Sequence, residues 1–166
     1  MVKFLYEHRG KLMKYHKVFK HFDGRAVAET RELMRGFGSM PDALKVIKLE
    51  TWLREVSDIY GVVTPSLTIS STVGAGCYYP RDNAIFIPKP SIVTTLHEFR
   101  HAMQRQGRAL SFYDASKGAE HRSGGYEVDA RAWSLSLYYA VAPRTFARLV
   151  GTGEILHITT DDLTRV

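Results

Sequence analysis

Cysteine is nearly missing from this chain: Cys77 is the single one in 166 residues. An internal disulfide is thereby excluded, and without a CxxC pair so is a thiolate zinc site. Cys77 reads as a small packing residue beside Tyr78, with no base in the local sequence to activate it as a nucleophile. Long apolar runs are also lacking. No stretch approaches the length needed to cross a bilayer, and the first residues, with Lys3, Glu7 and Arg9, are broken by charge too early for a secretory signal. The expected compartment is the cytoplasm, with no membrane partner. Repeats and low-complexity segments are absent. Acidic residues are in short supply, 17 against 23 lysines and arginines, which leaves a net charge of +6. Much of the excess lies early, where Lys3, Arg9, Lys11, Lys14, Lys17, Lys20 and Arg25 face only Glu7 and Asp23. Such an arm is able to contact nucleic acid weakly and without sequence preference, although a run of this modest excess is more often a solvated helix face.

What is present suits one domain. Hydrophobic residues make up 45% and charged residues 24%, proportions that argue for a packed core and against disorder. The expectation is a single domain over 1–166, with a helical segment at 1–60, a core at 61–141 and a tail at 142–166. Residues 26–37 read as a helix, and Pro41 opens a longer one in which Leu44, Ile47, Trp52, Leu53, Val56 and Tyr60 lie near helical spacing. Residues 62–69 are rich in β-branched side chains. Cys77–Tyr79 and Ala84–Ile87 flank Pro80-Arg81-Asp82-Asn83, which reads as a hairpin turn. Gly74-Ala75-Gly76 lacks the Gly-Lys-Ser/Thr that a phosphate loop requires and reads as a bend between strands. Ser91 is an N-cap for a helix at 92–106, which Gly107 stops. A glycine-rich loop through Gly125 leads to a helix at 126–141 that is apolar on nearly all sides and ends at Pro143. A strand at 155–158 completes the reading. Helices, then strands, then helices imply an α+β domain.

The segment with chemistry in it is His97-Glu98-Phe99-Arg100-His101, an HExxH pattern inside a predicted helix. Residues four apart project from one helix face, so His97 and His101 suit a shared zinc ion. Glu98, beside the first histidine, is placed to take a proton from water on that metal, whose pKa zinc lowers to about 7. A tetrahedral site needs a third protein ligand. Downstream candidates are Asp114, Glu120, His121, Glu127 and Asp129. Glu127 is favoured, because Ala130 on the same helix face permits close approach to the HExxH helix. Asp129 lies about 200° round the helix from Glu127, so a regular helix cannot offer both. His121 is either a further ligand, an oxyanion donor or a plain loop residue.

A strand, a helix with His97-Glu98-x-x-His101, a loop and a helix beginning Glu127-x-x-Ala130 together resemble the compact gluzincin metallopeptidases, among them the ImmA/IrrE-type and related minimal domains, over roughly residues 60–140. The resemblance implies a zincin-like fold with a small β-sheet, an active-site helix and a buried C-terminal helix. It also implies a zinc cofactor held by His97, His101 and Glu127, Glu98 as the catalytic base, and hydrolysis of a peptide or protein substrate. By the same resemblance Ala84–Ile87 lines the substrate groove, an edge-strand role that the residues alone balance evenly against an internal one. Many such domains carry Asn or Asp after the alanine, where this chain has Arg131. Residues 1–60 fall outside the resemblance. His121, Tyr126 and Tyr79 are all candidates to stabilise the oxyanion. The competing reading is a metal-binding, DNA-associated or regulatory module without strong peptidase activity.

Overall fold

In the computed structural model, which describes residues 22–108 and 122–151, the chain is α+β, with five α-helices and a three-stranded mixed sheet among those residues. Helix α1, Gly24–Met34, begins where the Asp23 carboxylate accepts a hydrogen bond from the Arg25 backbone N–H at 2.8 Å. It stops short of the expected boundary, because Gly36 turns into the left-handed region at φ 69° and a 3-10 turn follows at Phe37–Ser39. Helix α2, Asp42–Tyr60, ends at Gly61, again left-handed at φ 63°. Lys48 of α2 donates to the carbonyls of Glu32 and Arg35, at the end of α1 where helical carbonyls run short of N–H partners.

Strand β1, Ser66–Ile69, is shorter than the β-branched run that suggested it. Pro65 has no N–H to give to a ladder, so pairing starts after it. Strands β2, Cys77–Tyr79, and β3, Ala84–Ile87, form the expected hairpin, with Tyr78 opposite Ile85 and Asn83 left-handed at φ 47° in the turn. The strand order is β1-β3-β2, with β1 parallel to β3. Ala84–Ile87 is thus the central strand, and the edge role implied for it is corrected: a neighbour occupies the ladder on each side of it.

Helix α3, Ile92–Arg105, carries the HExxH residues. Its Ser91 cap accepts from the Thr94 N–H at 3.3 Å, and Gly107 turns left-handed just past its end. Helix α4, Arg122–Val141, starts a turn earlier than expected, taking in the glycine pair at 124–125. Ala130, Ala132, Trp133, Leu135, Leu137 and Tyr138 are all buried, so α4 runs through the interior. Pro143 does not lead into a tail but opens helix α5, Pro143–Gly151, at a first position where its missing N–H costs nothing. The basic run from Lys3 to Lys20 and the strand expected at 155–158 lie outside the described residues.

The core gathers around Phe99, fully buried on the face of α3 turned away from the histidines. Its ring meets Trp52 edge-on at 5.3 Å and lies 6.2 Å from Trp133 and 6.3 Å from Tyr60. One ring therefore joins α2, α3 and α4. Phe99→Ala is expected to destabilise the fold by about 3–5 kcal/mol, read from denaturant unfolding. A loss below about 1 kcal/mol would show that Phe99 does not centre the core.

Candidate metal centre

Two helices supply the site. From α3, His97 and His101 project one turn apart, with ring centroids 4.8 Å apart. From α4 comes Glu127. The Nε2 atoms of the histidines lie 3.1 Å apart, Glu127 Oε2 is 3.2 Å from His97 Nε2, and Glu127 Oε1 is 3.1 Å from His101 Nε2. Ligands at ordinary zinc distances on a tetrahedron stand about 3.3 Å apart. Two imidazole nitrogens and one carboxylate form a usual zinc donor set, so both the spacing and the chemistry of these residues fit that ion. The charge balance points the same way. Hydrogen bonds from His101 and then His97 hold the Glu127 carboxyl well below the usual carboxylate range. Burial pushes the His101 imidazole down, but bonding to Glu127 and Gln104 and the charges of Glu127 and Glu98 outweigh it and raise its pKa overall. In the absence of a metal, Glu127 favours the charged form of the His101 imidazole.

Glu98 is buried, at 4% exposure, and does not belong to the converging set. It lines a cavity of about 540 Å³ together with His97, His101 and Glu127. Burial raises its carboxyl pKa, Glu127 adds to the rise, and the two histidines and a hydrogen bond from the Tyr78 backbone N–H oppose it. A carboxyl at this place in the cavity is able to accept and return a proton. A second cavity, of about 900 Å³, adjoins the first and shares His97, Glu98 and Glu127 with it.

Asp129 faces elsewhere, as its position on the helix requires. Its carboxylate accepts from Arg100 Nε at 2.8 Å, Arg100 Nη2 at 3.1 Å and Gln104 Nε2 at 2.6 Å. The pair is enclosed, with side-chain exposures of 7% for Arg100 and 0% for Asp129. The Arg100 guanidinium also lies over the Trp133 ring, 5.5 Å from its centroid. Gln104 donates to the Tyr126 carbonyl at 3.0 Å, and its Oε1 lies 2.8 Å from His101 Nδ1. Neither Arg100 nor Gln104 stands out in the sequence, since their partner lies far along the chain.

The cavity wall opposite α3 comes from Gly76 and from β2, not from β3. Cys77 lines the cavity and is only partly buried, so it is a wall residue and not a core one. Gly76, read from sequence as part of a bend, has a sharper role. A Cβ there would collide with Thr94 Cγ2 and come within 2.9 Å of Glu98 Oε1. Among the oxyanion candidates, Tyr126 lines the cavity. Tyr79 instead packs edge-on against Phe86 at 5.1 Å and lines neither cavity. His121, Asp114 and Glu120 lie outside the described residues. No helix among the described residues is long and apolar enough to cross a membrane. No protein-family model matches the chain, and neither a curated protein nor a solved structure matches it significantly.

Two outcomes follow from this geometry. Gly76→Ala should lower stability by about 1–3 kcal/mol, as overpacking does, and Thr94→Ser should recover part of the loss by deleting the opposing methyl. Thermal melts of the single and double variants check this, and an unshifted Gly76→Ala melt contradicts the close approach. Asp129→Ala should cost about 3–5 kcal/mol by stranding Arg100 as a buried, uncompensated charge. A cost below about 1 kcal/mol in denaturant unfolding would mean that the pair is solvated.

Proposed function

We propose that the chain is a zinc-dependent peptidase of the HExxH class with a zincin-like core. The observation that carries this reading is the convergence of His97 Nε2, His101 Nε2 and the Glu127 carboxylate beside a buried Glu98 on one cavity wall. Zinc held there supplies Lewis-acid charge and lowers the pKa of water in its open position to about 7.

The chain's own residues divide the remaining work. The Glu98 carboxylate accepts the proton of the attacking water and then delivers it to the leaving amine nitrogen. An extended peptide is the substrate class that suits the cleft, because β2 forms its wall and an outer strand recognises main chain rather than side chains. Of the two described oxyanion candidates, Tyr126 lines the same cavity and Tyr79 does not. No observation among the described residues favours the DNA-associated reading, whose basic run lies outside them.

The protein is expected to take up about one zinc ion per chain, and His97→Ala, His101→Ala or Glu127→Ala to weaken that uptake sharply. Zinc binding requires neutral imidazole, so affinity falls as pH falls through the histidine range. Because the His101 pKa is raised, the fall begins at a higher pH than for an ordinary histidine. Glu98→Gln should keep the zinc and lose about 10²–10⁴-fold in peptide hydrolysis. Metal analysis and a peptide-cleavage assay read both; wild-type cleavage by Glu98→Gln, or full zinc uptake by the double His97/His101 alanine variant, sinks the reading.

A further inference from the structure

The face of α3 that carries the histidines does not end with them. Arg105 lies four residues past His101, one further turn along the same face, and lines the same cavity of about 540 Å³. A basic residue in the last turn of a helix ordinarily serves the helix's own carbonyls. Here those carbonyls are already met: Ala102, Met103 and Gln104 accept from the backbone N–H groups of Gln106, Arg108 and Gly107. Among the described residues the Arg105 guanidinium has neither a carboxylate nor a hydrogen-bond acceptor. What holds it is the ring of Tyr126, whose centroid lies 5.9 Å from the guanidinium carbon. Tyr126 is itself fixed against α3, because its carbonyl accepts from Gln104 Nε2 at 3.0 Å. Stacking occupies the face of a guanidinium and leaves the N–H groups at its edge, a fork that fits a carboxylate. The cavity's own carboxylates leave that fork unfilled. Glu127 is taken by His97 at 3.2 Å and His101 at 3.1 Å, and Glu98 adjoins Gly76 on the β2 side.

We propose that Arg105 is a specificity-determining residue that binds a carboxylate of the substrate, one helical turn beyond the histidines. The inference deepens the peptidase reading and rests on it for the substrate's being a peptide. The carboxylate site itself needs neither a metal nor turnover. Four residues of helix advance about 6 Å from His101 to Arg105. An extended peptide advances about 3.3–3.6 Å per residue, so the bound carboxylate belongs about two residues from the carbonyl presented at the histidines. Two sources offer this chemistry, a free C-terminus and an acidic side chain. The first makes the reaction a trimming of chain ends, and the second an internal cleavage beside an acidic residue. Because Arg105 is exposed, the gain is moderate, about 10-fold in affinity, and it weakens as salt screens the pair.

The test is an NMR titration of the full chain carrying Glu98→Gln, so that no probe is cleaved, with zinc added. The probes are acetylated tetra-alanine with a free C-terminal acid, the same peptide as its amide, and amides with glutamate or glutamine at each position in turn. At low salt at least one acidic probe is expected to bind about 10-fold more tightly than its neutral counterpart, and the difference to shrink as salt is raised. Preference for the free acid names the chain end as the source, and preference for a glutamate names the side chain. Adding Arg105→Met should erase the difference, and Arg105→Lys, which keeps the charge without the fork, should retain only part of it. Equal affinity within every acidic and neutral pair overturns the proposal. So does a preference that persists with Arg105→Met, because another cation then holds the carboxylate. Cleavage by the wild type is scored separately. Cleavage without an acidic preference removes the role of Arg105 alone, and a preference that needs Arg105 without any cleavage removes the peptidase reading alone.

Discussion

The enclosed contact between Arg100 and Asp129 sets how α3 lies against α4, and the candidate site is built across that joint. The histidines belong to one helix and Glu127 to the other, so their convergence is only as good as the register between the two. Apolar packing of Phe99 against Trp133 brings the helices together but tolerates sliding. A buried ion pair does not: any shift that lengthens its hydrogen bonds leaves charge without compensation. The planar guanidinium, bonded to Asp129 at its edge and lying over Trp133 with its face, fixes rotation as well as translation. Such a pair adds little net stability but restricts the alternatives, and a three-atom site with sides near 3.1 Å has need of that restriction.

Glu98 depends on a different support. Its neighbours are Gly76 and the Tyr78 backbone at the β2 side of the cleft, and not the helix pair. The sheet is held to the end of α3 in turn. Gln106 accepts from the Val63 N–H at 2.7 Å and donates to the Val63 carbonyl and Asn83, while Asn83 also receives the Tyr78 hydroxyl at 2.9 Å. The ligand set and the proposed base are thus positioned by separate parts of the fold that meet in α3. Damage to one support is expected to leave the other standing, which makes metal affinity and proton transfer separable properties of this chain.

Some of this was legible from residues alone. That His97 and His101 share a face follows from helix periodicity, which is local and needs no knowledge of the rest of the chain. The same periodicity separates Glu127 from Asp129 by about 200°. The hairpin between Cys77–Tyr79 and Ala84–Ile87 was legible from its turn residues. Other features were not. Nothing local in the sequence pairs Arg100 with Asp129, 29 positions on. The start of α4 was misplaced because the glycine pair at 124–125 reads as loop, and Pro143 was read as a stop when it begins a helix.

By itself, then, the sequence determined most of the elements and the faces they present: an α+β order, a capped helix bearing HExxH, and a second helix that carries Glu127. Each rests on interactions within a few residues, where backbone geometry leaves few choices. The tertiary structure alone decided which strand walls the cleft, since strand order depends on pairing between distant segments and placed Ala84–Ile87 in the middle. It alone decided that Gly76 lies where no side chain fits, and that Gln104 connects His101 to Asp129. Those relations are distances between separate elements, set by how the core packs, and no local pattern encodes them.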